Sequence, residues 1–103
     1  MRLPQSLGAR SPLQTGVDIL GVEIQEEKAL SLGRAGRAVE AALARLEDPD
    51  ALAQEGREAL LKAAAQAVWK FFIQREACGA RDHRPVIAHY AIPRAVLARL
   101  GAM

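Results

Sequence analysis

Residues 59–73 read Ala59-Leu60-Leu61-Lys62-Ala63-Ala64-Ala65-Gln66-Ala67-Val68-Trp69-Lys70-Phe71-Phe72-Ile73. On a wheel of ~100° per residue the apolar arc of this stretch spans about 240°. Only Lys62, Gln66 and Lys70 mark a narrow wet strip. A helix apolar most of the way round is covered on more than one side. Trp69, Phe71 and Phe72 also stand here, so the bulky core material of a chain otherwise rich in alanine is concentrated in one place. Alanine is the strongest helix former and loses almost no side-chain entropy. The stretch is therefore the second half of a central helix, predicted over 51–78, with Asp50 as its cap and Gly79 as its stop.

Upstream, a one-faced helix is predicted from Asp18 to about Glu47. Leu20, Ile24, Leu32, Ala35, Gly36, Ala38, Val39, Ala42, Leu43 and Leu46 share an arc of roughly 160°. Glu23, Glu26, Glu27, Arg34, Arg37, Glu40 and Arg45 take the other side. Gly36 lies on the apolar arc, where it would let another backbone approach closely. Gln25 and Lys28 also fall in that arc. A lysine there can snorkel, its stem on apolar surface and its ammonium in water, or it can meet Glu76 in a bundle interior.

Glu47-Asp48-Pro49-Asp50 ends the first helix, because proline cannot continue it. A connection this short makes the two helices antiparallel neighbours. An i,i+4 pair is expected between Glu58 and Lys62. Downstream, Pro85 opens a short helix carrying Val86, Ile87 and Tyr90. Pro93 opens another with Val96, Leu97 and Leu100, ended by Gly101. Residues 1–17 hold Pro4, Gly8, Pro12 and Gly16 without periodicity and are expected to be a flexible N-terminal arm to a single helical domain over 18–103.

The fold class is thus all-α: a long antiparallel hairpin plus two short C-terminal helices. Helices of ~29 residues reach ~43 Å, against a radius of gyration of ~13 Å for a compact domain of this length. Two short helices cannot bury such a hairpin, so a homodimeric four-helix core is expected, with Trp69 and Ile73 as its interface.

Composition narrows the function classes. With one cysteine, Cys78, the 103-residue chain has no internal disulfide and no multi-cysteine zinc site, and a reducing, cytoplasmic setting follows. No apolar run approaches the ~20 residues that span a bilayer, and no apolar segment near the N-terminus marks a secretory signal. The net charge of +2 is too small to imply a polyanion partner. Its distribution is uneven, with six basic and two acidic side chains in residues 68–103.

The densest polar set is Arg75, Glu76, Cys78, Arg81, Asp82, His83, Arg84 and His89. As a metal site it would draw on Cys78, His83, His89 and a carboxylate, but the histidines are six positions apart, which puts them on different faces of a helix. Cys78 with either histidine would be a nucleophile pair. The structural alternative has Asp82 capping a helix, with Arg75 and Arg81 paired to Glu76 and Asp82. Nucleic-acid binding would use Lys70, Arg75, Arg81, Arg84, Arg94 and Arg99, though the last short helix has few side chains that read bases. No cofactor is implied. An interaction or regulatory module without catalytic activity fits the residues best.

The runs Trp69-Lys70-Phe71-Phe72-Ile73-Gln74-Arg75-Glu76, Arg81-Asp82-His83-Arg84-Pro85 and Tyr90-Ala91-Ile92-Pro93 resemble a family of short, uncharacterised bacterial helical proteins, a domain of unknown function. The resemblance covers roughly residues 18–101. It implies a stand-alone bacterial helical protein and carries over no active-site residue.

Overall fold

In the computed structural model, backbone is described for residues 12–101 and side chains for residues 21–101. The element order is α1 (Pro12–Arg45), α2 (Pro49–Glu55), α3 (Arg57–Ala77), α4 (Arg84–His89) and α5 (Arg94–Leu97). There is no strand among the described residues. Contacts divide the chain into Met1–Leu30 and Ser31–Met103. α1 belongs to both, and the part of the hairpin from Ser31 onward lies in the second.

α1 starts at Pro12, ahead of the expected Asp18. Proline is tolerated in a first turn, where its missing N–H has no intrahelical partner in any case. The expected arm therefore overlaps α1 from Pro12, and its residues 1–11 lie outside the described residues. Lys28 is half-buried and Gln25 exposed.

The loop after α1 is capped by Asp48, not Asp50. Asp48 has extended backbone (φ −92°, ψ 113°), and its Oδ1 accepts the Asp50 N–H at 3.0 Å, with Pro49 in the first turn. An Arg45–Glu55 ion pair ties the end of α1 to the end of α2.

The central helix predicted over 51–78 is broken once, at Gly56. Its φ of 85° and ψ of 154° lie in a region that essentially only glycine enters. Gly56 donates its N–H to the Leu52 carbonyl at 2.9 Å and accepts from Leu60 at 3.2 Å. One helix ends and the next begins on the same residue, with the axis redirected. A Cβ there would meet nothing within 4 Å. Gly56→Ala should therefore lower unfolding free energy by about 1–3 kcal/mol through backbone strain alone. Urea titration would show this, and an unchanged midpoint would mean that the bend relaxes without cost.

The core is built on α3. Leu61, Ala64, Ala65, Val68 and Phe71 are buried with Val39 of α1, Ile92, and Val96 of α5. α3 packs directly on α2 and on α5. The antiparallel sense follows from the ends. Gly36, early in this part of α1, faces Phe71, late in α3. Gly36 is buried, but its close neighbour is a side chain and not the expected backbone: a Cβ there would lie 2.8 Å from the Tyr90 hydroxyl oxygen.

The 240° arc is not fully covered. Ala59, Ala63, Trp69 and Ile73 stay exposed. The short helices close by different devices. α4 ends in a Schellman turn, with the Ile92 N–H on the Ile87 carbonyl (3.0 Å) and the Ala91 N–H on the Ala88 carbonyl (3.2 Å). That turn needs a left-handed residue, and Ala91 takes φ 52° there without being a glycine. Glu58 pairs with Arg99 and not with Lys62: Arg99 Nη2 and Nε lie 2.8 and 2.9 Å from the two carboxylate oxygens. This fork joins the start of α3 to the turn after α5. It holds the Glu58 carboxyl below its ordinary range.

Candidate functional site

The polar cluster forms where the chain leaves α3. Gly79, at φ 93°, lets the helix end in a second Schellman turn. Here Ala80 donates to the Arg75 carbonyl at 2.9 Å and Gly79 to the Glu76 carbonyl at 3.0 Å. The reversal lays the His83 ring flat on Phe72, with centroids 4.0 Å apart and planes within 1°. His83 Nδ1 is 2.7 Å from Arg75 Nη1, and Nε2 is 2.9 Å from Glu76 Oε2. A guanidinium can only donate. Nδ1 therefore accepts, the proton sits on Nε2, and Nε2 donates to the Glu76 carboxylate.

Arg75 Nη1 also donates to the Asp82 carbonyl at 2.9 Å. The Asp82 carboxylate accepts from Arg84 Nε and Nη2, both at 3.0 Å, and from the Arg84 backbone N–H at 3.1 Å. These hydrogen bonds from Arg84 hold the Asp82 carboxyl below its ordinary range. Asp82 thus stands one residue ahead of His83, the N-cap of α4, and accepts the first N–H of the helix from there; its side-chain partner is Arg84 and not Arg81, and Glu76 is held by His83 and not by an arginine.

This arrangement is a clasp. Both ring nitrogens of His83 are occupied, so neither is left to act as a base toward Cys78. The Cys78 thiol is exposed. His89 stands elsewhere, edge-on to Tyr90 with centroids 4.9 Å apart. It lines a shallow depression of about 320 Å³ with Glu40, Leu43, Ala44, Glu47 and Tyr90. The two histidines thus lie at opposite ends of α4. Among the described residues no group of three His, Cys, Asp or Glu side chains is placed to hold a metal ion.

Half of the basic side chains of the C-terminal third are engaged within the chain. Arg75 serves the clasp, Arg84 pairs with Asp82, and Arg99 with Glu58. Lys70, Arg81 and Arg94 remain outside the ion pairs of the described residues. α5 has 4 residues, a single turn, too short to lay a recognition helix along a major groove. None of the described helices is long and apolar enough to cross a membrane.

What stands open is the outer face of α3. Trp69 is 45% exposed and Ile73 47%. They lie four positions apart, hence on one face, between Lys62, Gln66 and Lys70, which are exposed too. Trp69, Gln66, Lys70 and Gly101 line a depression of about 270 Å³. A tryptophan presents a wide apolar body and one N–H donor, the chemistry of a contact anchor.

A second open surface escapes the wheel that defines the apolar arc. Val22 and Leu30 in α1 are 57% and 61% exposed. The signal that finds it is the i, i+3, i+4, i+7 spacing of Glu23, Glu26, Glu27 and Leu30. The Glu58–Arg99 fork, by contrast, spans 41 residues and leaves no local trace.

No curated protein and no solved structure matches the chain. The model of DUF6665, a family of unknown function, matches residues 5–103, and the chain belongs to that family.

Proposed function

We propose that the chain is a homodimeric helical interaction module without catalytic activity, joined through the outer face of α3. The observation that carries this reading is the exposure of Trp69 and Ile73 on a helix whose other large apolar residues are buried or half-buried. Its setting is the reducing cytoplasm of a bacterial cell. The exposed lone thiol of Cys78 supports the compartment, and the prevalence of arginine over lysine with abundant alanine supports the source.

The second copy is the favoured occupant because the covered faces of α3 already use the chain's own α2 and α5, while Trp69 and Ile73 stay about half exposed. Replacing Trp69→Ala together with Ile73→Ala should weaken self-association by roughly thirtyfold or more, since truncating a tryptophan anchor costs about 2 kcal/mol or more. Both side chains are exposed in the single chain, so its helicity should hold. Sedimentation equilibrium with parallel circular dichroism checks both points. Association equal to that of the unchanged chain would move the contact away from α3.

A further inference from the structure

Charge changes sign along the open face of α3, and Trp69 stands at the midpoint. Lys62, Trp69 and Glu76 are spaced seven positions apart. Seven residues make about two turns, so the three form one row along the helix, with a drift of ~20° per step. All three are exposed, the Glu76 side chain at 43%. Gln66 and Ile73, exposed too, border the row. Lys70 is turned ~100° away from Trp69. The row thus runs from a cation through a wide apolar ring to an anion.

Charge distinguishes the ways in which two such rows can meet. A parallel pair would set Lys62 on Lys62 and Glu76 on Glu76. An antiparallel pair centred on Gln66 would set Lys62 on Lys70. Like charges brought together at a closing interface are costly. An antiparallel pair centred on Trp69 sets each residue before Trp69 against the residue equally far after it in the other copy. Lys62 then faces Glu76 at both ends, about 10 Å along the helix from the axis.

Two further features suit that centre. Glu76 gives only Oε2 to His83, so its other oxygen can accept from a lysine without opening the clasp. The depression of about 270 Å³ lined by Trp69, Gln66, Lys70 and Gly101 leaves room beside the indole for a second ring.

Resting on the homodimer proposed above, we infer that two copies pair α3 against α3 antiparallel, with the two-fold axis at Trp69 and Lys62 of each copy joined to Glu76 of the other. A crossing of about 20° keeps the rows in register despite their drift. The two indoles meet at the axis in an offset stack, each in the depression beside the other.

Charge reversal tests this register. Lys62→Glu and, separately, Glu76→Lys should each associate at least about tenfold more weakly than the unchanged chain, because like charges then face each other at both ends. An equimolar mixture of the two variants should recover the association, since both ends of the mixed pair again join opposite charges. Lys62 belongs to none of the ion pairs among the described residues, so its reversal leaves the clasp intact. A second readout needs no substitution. The chain has one tryptophan, and an exciton couplet from the stacked indoles should appear in circular dichroism as concentration rises through association.

A mixture of folded variants no tighter than either alone overturns the antiparallel register. So does a Lys62→Glu chain that associates as the unchanged chain does, or a dimer without the couplet. If Trp69→Ala/Ile73→Ala still disrupts the dimer in those cases, the homodimer stands and only its register is wrong. An unchanged chain that is monomeric overturns both.

Discussion

Phe71→Ala should lower the unfolding free energy by about 3–5 kcal/mol, the usual cost of removing a buried aromatic ring. Phe71 is 4% exposed and belongs to the cluster formed by α1, α3, Ile92 and α5. It meets Tyr90 edge-to-face, with centroids 5.6 Å apart and an interplanar angle of 86°. It also borders the Gly36 backbone. Removing the ring leaves a cavity where three segments meet, and takes from Tyr90 the surface that orients it. Domains of this size hold only about 5–15 kcal/mol in total, so the variant should unfold at much lower urea. The neighbouring Trp69→Ala, two positions earlier on an exposed face, should change the stability of the single chain far less. Parallel urea titrations of the two variants at concentrations below association make the comparison. Equal losses would contradict the division of α3 into a buried and an open side.

Two glycines three positions apart in α1 should respond in opposite directions. Gly36→Val puts a branched side chain where even a Cβ would stand 2.8 Å from the Tyr90 hydroxyl and 3.6 Å from a Phe71 ring carbon. Tyr90 cannot simply swing aside, because its ring is set between Phe71 and His89. Overpacking of this kind costs about 1–3 kcal/mol, occasionally more. At Gly33 a Cβ would touch only the end of the flexible Arg37 side chain, at 3.4 Å. There the gain in helix propensity dominates, and Gly33→Ala should raise stability by up to about 1 kcal/mol. Thermal or urea unfolding of the pair reads both signs. Two stabilised variants would show that Tyr90 does not press on α1.

These residues also show how far the chain's own chemistry can be read ahead of its structure. The all-α class, the hairpin around Pro49, the central place of α3 and the short helices opened by Pro85 and Pro93 all follow from periodicity and from proline. Those are local signals, and they survive because no tertiary contact opposes them. The break at Gly56 was hidden for a physical reason. A single glycine inside a helical pattern is usually tolerated, and only the backbone angles show that this one redirects the axis.

Gly36 was visible as a close-packing point, but its partner was not. Tyr90 is distant in sequence and reaches Gly36 only once α4 has turned. Ala91 illustrates the same limit, because a left-handed alanine carries no composition cue. In the polar cluster the participants were legible and the pairings were not. Asp82 takes Arg84 and Glu76 takes His83, since the Gly79 turn decides which side chains face each other. His89 and Cys78 looked like members because they are near in sequence, yet α4 carries His89 away to Tyr90 and Cys78 remains exposed. Trp69 and Ile73, expected at an interface between copies, are about half exposed in the single chain, and the open apolar residues of α1, Val22 and Leu30, carry no cue in the wheel because they lie off its apolar arc.

The claim on which the rest depends is that α3 is completed by a second copy of the chain. Sedimentation equilibrium of the unchanged protein, across concentrations spanning the micromolar range at low salt, tests it most directly. The expected mass rises with concentration to twice the 11.1 kDa of the chain. A mass that stays at 11.1 kDa at every concentration would contradict it.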